Sequence, residues 1–96
     1  MTVYAVALID IDDREGYGNY EQGFMDIFSK YEGTLLAVEE APGVLEGEWP
    51  WRRTVLLSFP DEGKLRAWYD SDEYQALARH RFDASDASIA VIKGLG

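Results

Sequence analysis

The side chains able to do chemistry in this chain are few, and most of them come late. Seven of its nine Lys and Arg residues lie at or after Arg52. Arg52 and Arg53 are adjacent at the mouth of an apolar run, and neighbours on a strand point to opposite faces, so one faces a cleft and the other solvent. A guanidinium in a cleft holds a carboxylate through two parallel hydrogen bonds; its competing use is an ion pair with Glu39, Glu46 or a partner subunit. His80 is the one histidine, and imidazole is the side chain whose ordinary pKa lies near neutrality, so histidine acid–base catalysis rests on it. Arg79 and Arg81 flank it. Its competing role is that of an exposed cation near a helix C-terminus. Tyr20, Trp49, Trp68 and Tyr69 offer flat apolar walls for an organic ligand. Aromatic side chains also fill cores and interfaces, and Trp49 and Trp51 suit a contact between subunits.

Other chemistries are disfavoured by residue type or spacing. There is no cysteine, which removes disulfides, thiolate metal sites and cysteine nucleophiles. One histidine without cysteine makes zinc a poor fit. Asp10, Asp12 and Glu21 resemble part of a calcium loop, but Arg14 and Glu15 stand where a ligand and a glycine are needed. No glycine-rich phosphate loop or serine nucleophile elbow appears. No metal and no cofactor is therefore expected.

The elements that must position these residues follow from periodicity and punctuation. Thr2 to Ile11 reads as a first strand, and Asp12 as the cap of a helix running from about Arg14 to Tyr31, with Tyr17, Tyr20, Phe24, Ile27, Phe28 and Tyr31 at helical spacing. Gly16, Gly18 and Gly23 each weaken that helix by about 1 kcal/mol relative to alanine, so packing of the aromatic stripe must hold it. Gly33 suits the helix stop. Thr34 to Glu40 is a second strand, Val44 to Trp49 a short hairpin arm, and Thr54 to Phe59 a third strand closed by Pro60. Leu65, Trp68 and Tyr69 mark one helix face. After a cap at Asp70 or Ser71, with Glu73 reaching back, Tyr74, Leu77, Ala78 and Arg81 mark the inner face of another. Asp83 to Asp86 reads as a polar loop, Ser88 to Lys93 as the last strand, and Gly94 to Gly96 as a tail.

The order is β-α-β-β-α-β with an added helical turn. Ile11-Asp12-Asp13 entering an aromatic helix is echoed by Phe59-Pro60-Asp61 entering the next. The expectation is an α+β ferredoxin-like fold over residues 1–96, one domain with an antiparallel sheet carrying its helices on one face. The strands Val3–Ile9, Leu35–Val38, Val55–Leu57 and Ile89–Ile92 do not alternate apolar with polar residues as a half-wet sheet should. Helices cover one face, so a second copy of the chain is expected on the other, giving a homodimer.

The formal net charge is −9. A field of that sign repels phosphate backbones and anionic lipid, so neither nucleic acid nor membrane is an expected partner. The N-terminal run lacks the basic leader and cleavage site of a signal peptide and is too short to span a bilayer, and absence of cysteine fits a cytoplasmic location.

VLEGEWPWRRTVLLSFPDEGKLRAWYDSDEYQALARHR resembles the hallmark of domain-of-unknown-function family 1330, most specifically in LEGEW, in the Arg53–Pro60 strand and in WYDSDEYQAL. The resemblance extends over essentially the whole chain, with His80 standing where an aliphatic residue is expected. It implies the dimeric α/β barrel superfamily, which includes small cofactor-independent monooxygenases, muconolactone isomerase-like enzymes and chlorite dismutase relatives. The function expected is that of an uncharacterised homodimer with a small-molecule cleft between sheet and helices. Arg53, Arg81 and His80 would be its polar groups and Tyr20, Trp49, Trp68 and Tyr69 its walls. Acid–base chemistry on a small organic acid or carbonyl compound would use His80 as base and an arginine as anion stabiliser. The alternative is a non-catalytic dimerisation or ligand-binding module.

Overall fold

The central strand explains the rest. In β1 (Val3–Ile11), Val3, Ala5, Ala7 and Ile9 are buried while Tyr4, Val6 and Leu8 between them are only half-buried. Two sheet faces of different fate follow directly from the period of two. β1 pairs antiparallel with β3 (Arg53–Phe59) on one side and β4 (Ser85–Lys93) on the other, and β3 also pairs with β2 (Thr34–Glu39), giving the order β2-β3-β1-β4. The structure, a computed structural model, describes residues 1–95; Gly96, placed in the tail by the sequence reading, lies outside them. The four-stranded antiparallel sheet with its helices on one face is a ferredoxin-like α+β fold.

On the covered face, Ala7 lies opposite both Val55 and Ile89, and Ile9 lies opposite Arg53. Helices α1 (Arg14–Phe28), α2 (Glu62–Tyr69) and α3 (Asp72–Ala84) lie over this face. Phe28 is completely buried, with its ring 4.9 Å from Phe24, 5.3 Å from Phe59 and 5.5 Å from Trp68. This aromatic cluster is the packing that offsets the glycines of α1.

Several boundaries differ from the sequence reading, each for a local reason. The cap of α1 is Asp13, not Asp12: its carboxylate accepts from the Gly16 N–H at 3.2 Å. The α-helix ends at Phe28 and continues as a 3-10 turn, Ser29–Tyr31. Glu32, not Gly33, takes the left-handed conformation that reverses the chain (φ 64°), and Lys64 holds its carboxylate at 2.8 Å. Gly33 is needed for closeness instead: a Cβ there would come within 2.4 Å of the Phe28 ring. Val44–Trp49 forms no strand and stays exposed. Asp83–Asp86 is no loop; α3 runs to Ala84 and β4 starts at once with Ser85. Two bonds fix that junction, since the Asp12 and Asp13 N–H groups both donate to the Ala84 carbonyl, at 2.8 and 3.0 Å. Ser71 caps α3, and Glu73 reaches not back to the cap but across to Lys30 and Tyr31.

β2 contains a bulge at Leu36. Leu35 opposes Leu57, yet Ala37 opposes Leu56 and Val38 opposes Val55. The extra residue lets Leu35 and Val38, three apart, both turn toward the helices. The uncovered face presents Tyr4, Val6, Leu8 and Leu56 at its centre, beside Ala90 and the exposed Ile92. No helix among the described residues is long and apolar enough to cross a membrane.

Candidate functional site

Alanine where its neighbours carry larger side chains leaves room. Ala5 and Ala7 on β1, flanked by Val55, Leu57 and Ile89, form the floor of a cavity of about 280 Å³ between sheet and helices. Its roof is aromatic, from Tyr17, Tyr20 and Phe24 of α1, Trp68 of α2 and Tyr74 of α3. Met25, Leu35 and Val38, all exposed, rim the side toward β2.

Two arginines reach this space from different elements, β3 and α3. Arg53 begins β3 on the covered face, because it lies opposite the buried Ile9; Arg52 is exposed, and its N–H donates to Asp10 Oδ1 at 3.1 Å. The Arg53 guanidinium sits 5.3 Å from the centre of the Tyr17 ring and pairs with Glu21 at 3.1 Å and with Glu40. Neither carboxylate is one of the two predicted from sequence, since the register that brings Glu40 alongside depends on the bulge in β2. Arg81 comes from α3, four per cent exposed, over the rings of Tyr20 and Phe82 at 5.8 and 4.8 Å. No carboxylate among the described residues lies within ion-pair distance of it.

The hydroxyls of Tyr20 and Tyr74 meet at 2.7 Å across the roof. Burial, with the neighbouring Tyr74, pushes the Tyr20 phenol well above its usual range. Burial also raises Tyr74 and Tyr17, against the opposing pull of nearby arginines. All three are therefore protonated near neutrality and act as hydrogen-bond donors rather than bases. Glu21 is the carboxylate in the lining.

Of the side chains singled out by sequence, Arg53, Arg81, Tyr20 and Trp68 converge on the cavity. The structure does not bring His80, Trp49 or Tyr69 to it. His80 is exposed on α3; successive helical residues are about 100° apart, so with Tyr74, Ala78 and Arg81 turned inward, residue 80 looks out. Trp49 is exposed in the 40–52 connection, its indole N–H 3.4 Å from Thr54 Oγ1. Tyr69 borders a separate, polar basin of about 350 Å³ at the β4 edge, together with Arg81, Ser85 and Asp86. Tyr17, Glu21 and Tyr74 complete the lining. The signals for them were the i, i+3, i+4 spacing from Tyr17 and the inner face of α3. Among the described residues no group of three or more His, Cys, Asp or Glu side chains is placed to hold a metal ion.

A family model described as domain of unknown function (DUF1330) matches residues 2–95. Among solved structures, RPA0582, a protein of unknown function from Rhodopseudomonas palustris, superposes with a TM-score of 0.81 at 16% identity, over 99% of this chain and 83% of that one. SnoaB, a cofactor-independent oxygenase from Streptomyces nogalater, gives 0.70 at 12% identity, over 99% and 94%. A DABB (dimeric α/β barrel) family protein with a ferredoxin-like fold from Mesorhizobium loti gives 0.67 at 12% identity, over 99% and 98%. At such identities the likeness is one of fold. No curated protein matches the chain.

Proposed function

We propose that this chain, which belongs to the DUF1330 family, works as a homodimer that takes one small organic molecule per subunit into the space between its sheet and its helices. The observation that carries this reading is the cavity of about 280 Å³, apolar and aromatic in its walls, with two arginines in its lining. Ligand pockets have this make-up: mostly apolar lining, few polar groups, and those few convergent. Dimerisation is supported by the apolar centre of the uncovered sheet face, around Val6, Leu8 and Leu56, and by the dimeric α/β barrel neighbours.

The chemistry that suits the cavity is cofactor-independent conversion of a small organic acid or carbonyl compound. A guanidinium would stabilise the oxyanion as it forms, and Glu21 rather than His80 would be the group at hand to take a proton. A second reading, a ligand-binding module without turnover, is favoured by His80, which stays on the solvent side of α3. A thermal-shift screen of small organic acids and carbonyl compounds tests the binding reading, because a ligand that binds the folded state raises Tm by mass action. Failure of every compound in a broad library would overturn it. Incubating the hits in air, with no added cofactor, then separates the two readings: new products by mass spectrometry support an enzyme, and unchanged ligand supports the module.

A further inference from the structure

Three buried side-chain polar atoms among the described residues have no hydrogen-bond partner: Arg53 Nε, Trp68 Nε1 and Arg81 Nε. All three are N–H donors, and all three belong to residues that line the cavity between sheet and helices. Buried donors without partners are costly, and native proteins keep few of them. A cavity that concentrates them is short of acceptors.

The two guanidiniums are not equivalent. Arg53 is already neutralised by Glu21 and Glu40. Arg81 is four per cent exposed with no carboxylate in ion-pair range, and its polar neighbours are phenols, Tyr74 and Tyr20 foremost. Those phenols hold their protons, so they leave its charge uncompensated. A buried cation without a counter-ion is a large penalty unless something supplies the opposite charge. Arg81 also stands in the wall shared with the polar basin at the β4 edge. The position suits a ligand whose charged end lies at Arg81 and whose apolar body extends among the rings of Tyr17, Phe24 and Trp68.

We propose that the cavity takes a planar aromatic carboxylate, with its carboxylate bound by Arg81 and its ring system stacked beneath the aromatic roof. This inference rests on the cavity being a ligand site, and it adds the charge, shape and orientation of the ligand. Arg53, held by its two glutamates, does not serve as the anion receptor.

The test is isothermal titration of the protein with 2-naphthoate and with its neutral counterpart 2-naphthamide. The wild type should prefer the acid by about 10- to 100-fold, the range expected for a hydrogen-bonded charge pair. Arg81→Met should bring that preference close to one while still binding the amide, and Arg53→Met should keep the preference. The unliganded Arg81→Met variant should melt no lower than wild type, because replacing an uncompensated buried charge by an apolar side chain of similar length is neutral or stabilising; a merely structural arginine would lower it. Should that variant not fold, Arg81→Gln gives the same comparison, and the wild-type ratio stands without it. Equal binding of acid and amide by the wild type, or a preference that survives loss of Arg81, would overturn the carboxylate inference and leave the cavity reading intact. If neither probe binds the wild type at millimolar concentration, this inference falls; the cavity reading falls with it only if the broad library also fails.

Discussion

Ala7→Leu distinguishes a real cavity from a packed core. Ala7 lies at the middle of the central strand, opposite Val55 and Ile89, and forms part of the cavity floor. The substitution adds three carbons pointing into a space of about 280 Å³. At ~0.8 kcal/mol per buried CH₂, the gain is at most about 2.4 kcal/mol, and lost rotamer freedom of the leucine removes about 0.5–1 kcal/mol of it. The expected outcome is a stabilisation of about 1–2 kcal/mol, or roughly 4–16 °C in Tm for a domain of this size. Binding of any cavity ligand should weaken at least about tenfold at the same time. Differential scanning calorimetry and a ligand titration on the same sample read both quantities. A loss of 1–3 kcal/mol, the usual penalty for overpacking, would refute the reasoning, because it would mean that the neighbouring side chains already fill the space.

Stability should also fall in alkali. The Tyr17, Tyr20 and Tyr74 phenols have raised pKa values in the folded protein, so their contribution is fully present below about pH 10, the unfolded phenol value. Above it the unfolded chain loses protons that the folded one keeps, at up to about 1.4 kcal/mol per pH unit for each group. A Tm series from pH 8 to 11.5, followed by phenolate absorbance, checks this; a flat profile above pH 10 counts against burial of the three. Phe28→Ala should cost about 3–5 kcal/mol, since the ring is fully buried against Phe24, Phe59 and Trp68; urea unfolding would show it as a lower midpoint at unchanged slope. Leu56→Glu, on the uncovered sheet face opposite Val6, should yield monomers in sedimentation velocity at tens of micromolar. A dimer that survives this change would place the subunit contact elsewhere.

Element order was legible because each switch of period was punctuated: Asp13 before α1, Pro60 and Asp61 before α2, Ser71 before α3. The polar run at Asp83–Asp86 misled because composition alone suggests a loop. The Ala84 carbonyl there receives two N–H groups from Asp12 and Asp13, a long-range contact that no local pattern announces. The inward turn of Arg81 was readable from its spacing to Tyr74 and Ala78, and the same arithmetic sends His80 outward. Exposure of the one imidazole thus follows from helix geometry, although its residue type drew attention to it. The partners of Arg53 were not readable, since Glu21 and Glu40 reach it through packing of α1 on the sheet and through strand register. The cavity had a faint signature in Ala5 and Ala7, the smallest side chains on the covered face of the central strand.

The bulge at Leu36 makes β2 tolerant of one kind of genetic change and intolerant of another. Exchanging one side chain for another along this edge leaves every facing intact. Excising Leu36 would merely straighten the strand, with Ala37 still opposite Leu56 and Val38 still opposite Val55, whereas inserting a codon after Ala37 would turn Val38 and Glu39 each to the other face. Homologues that diversify their ligands along this rim would therefore be expected to do so by swapping residues in place or by losing that one residue, and not by gaining a single residue between Gly33 and Glu40.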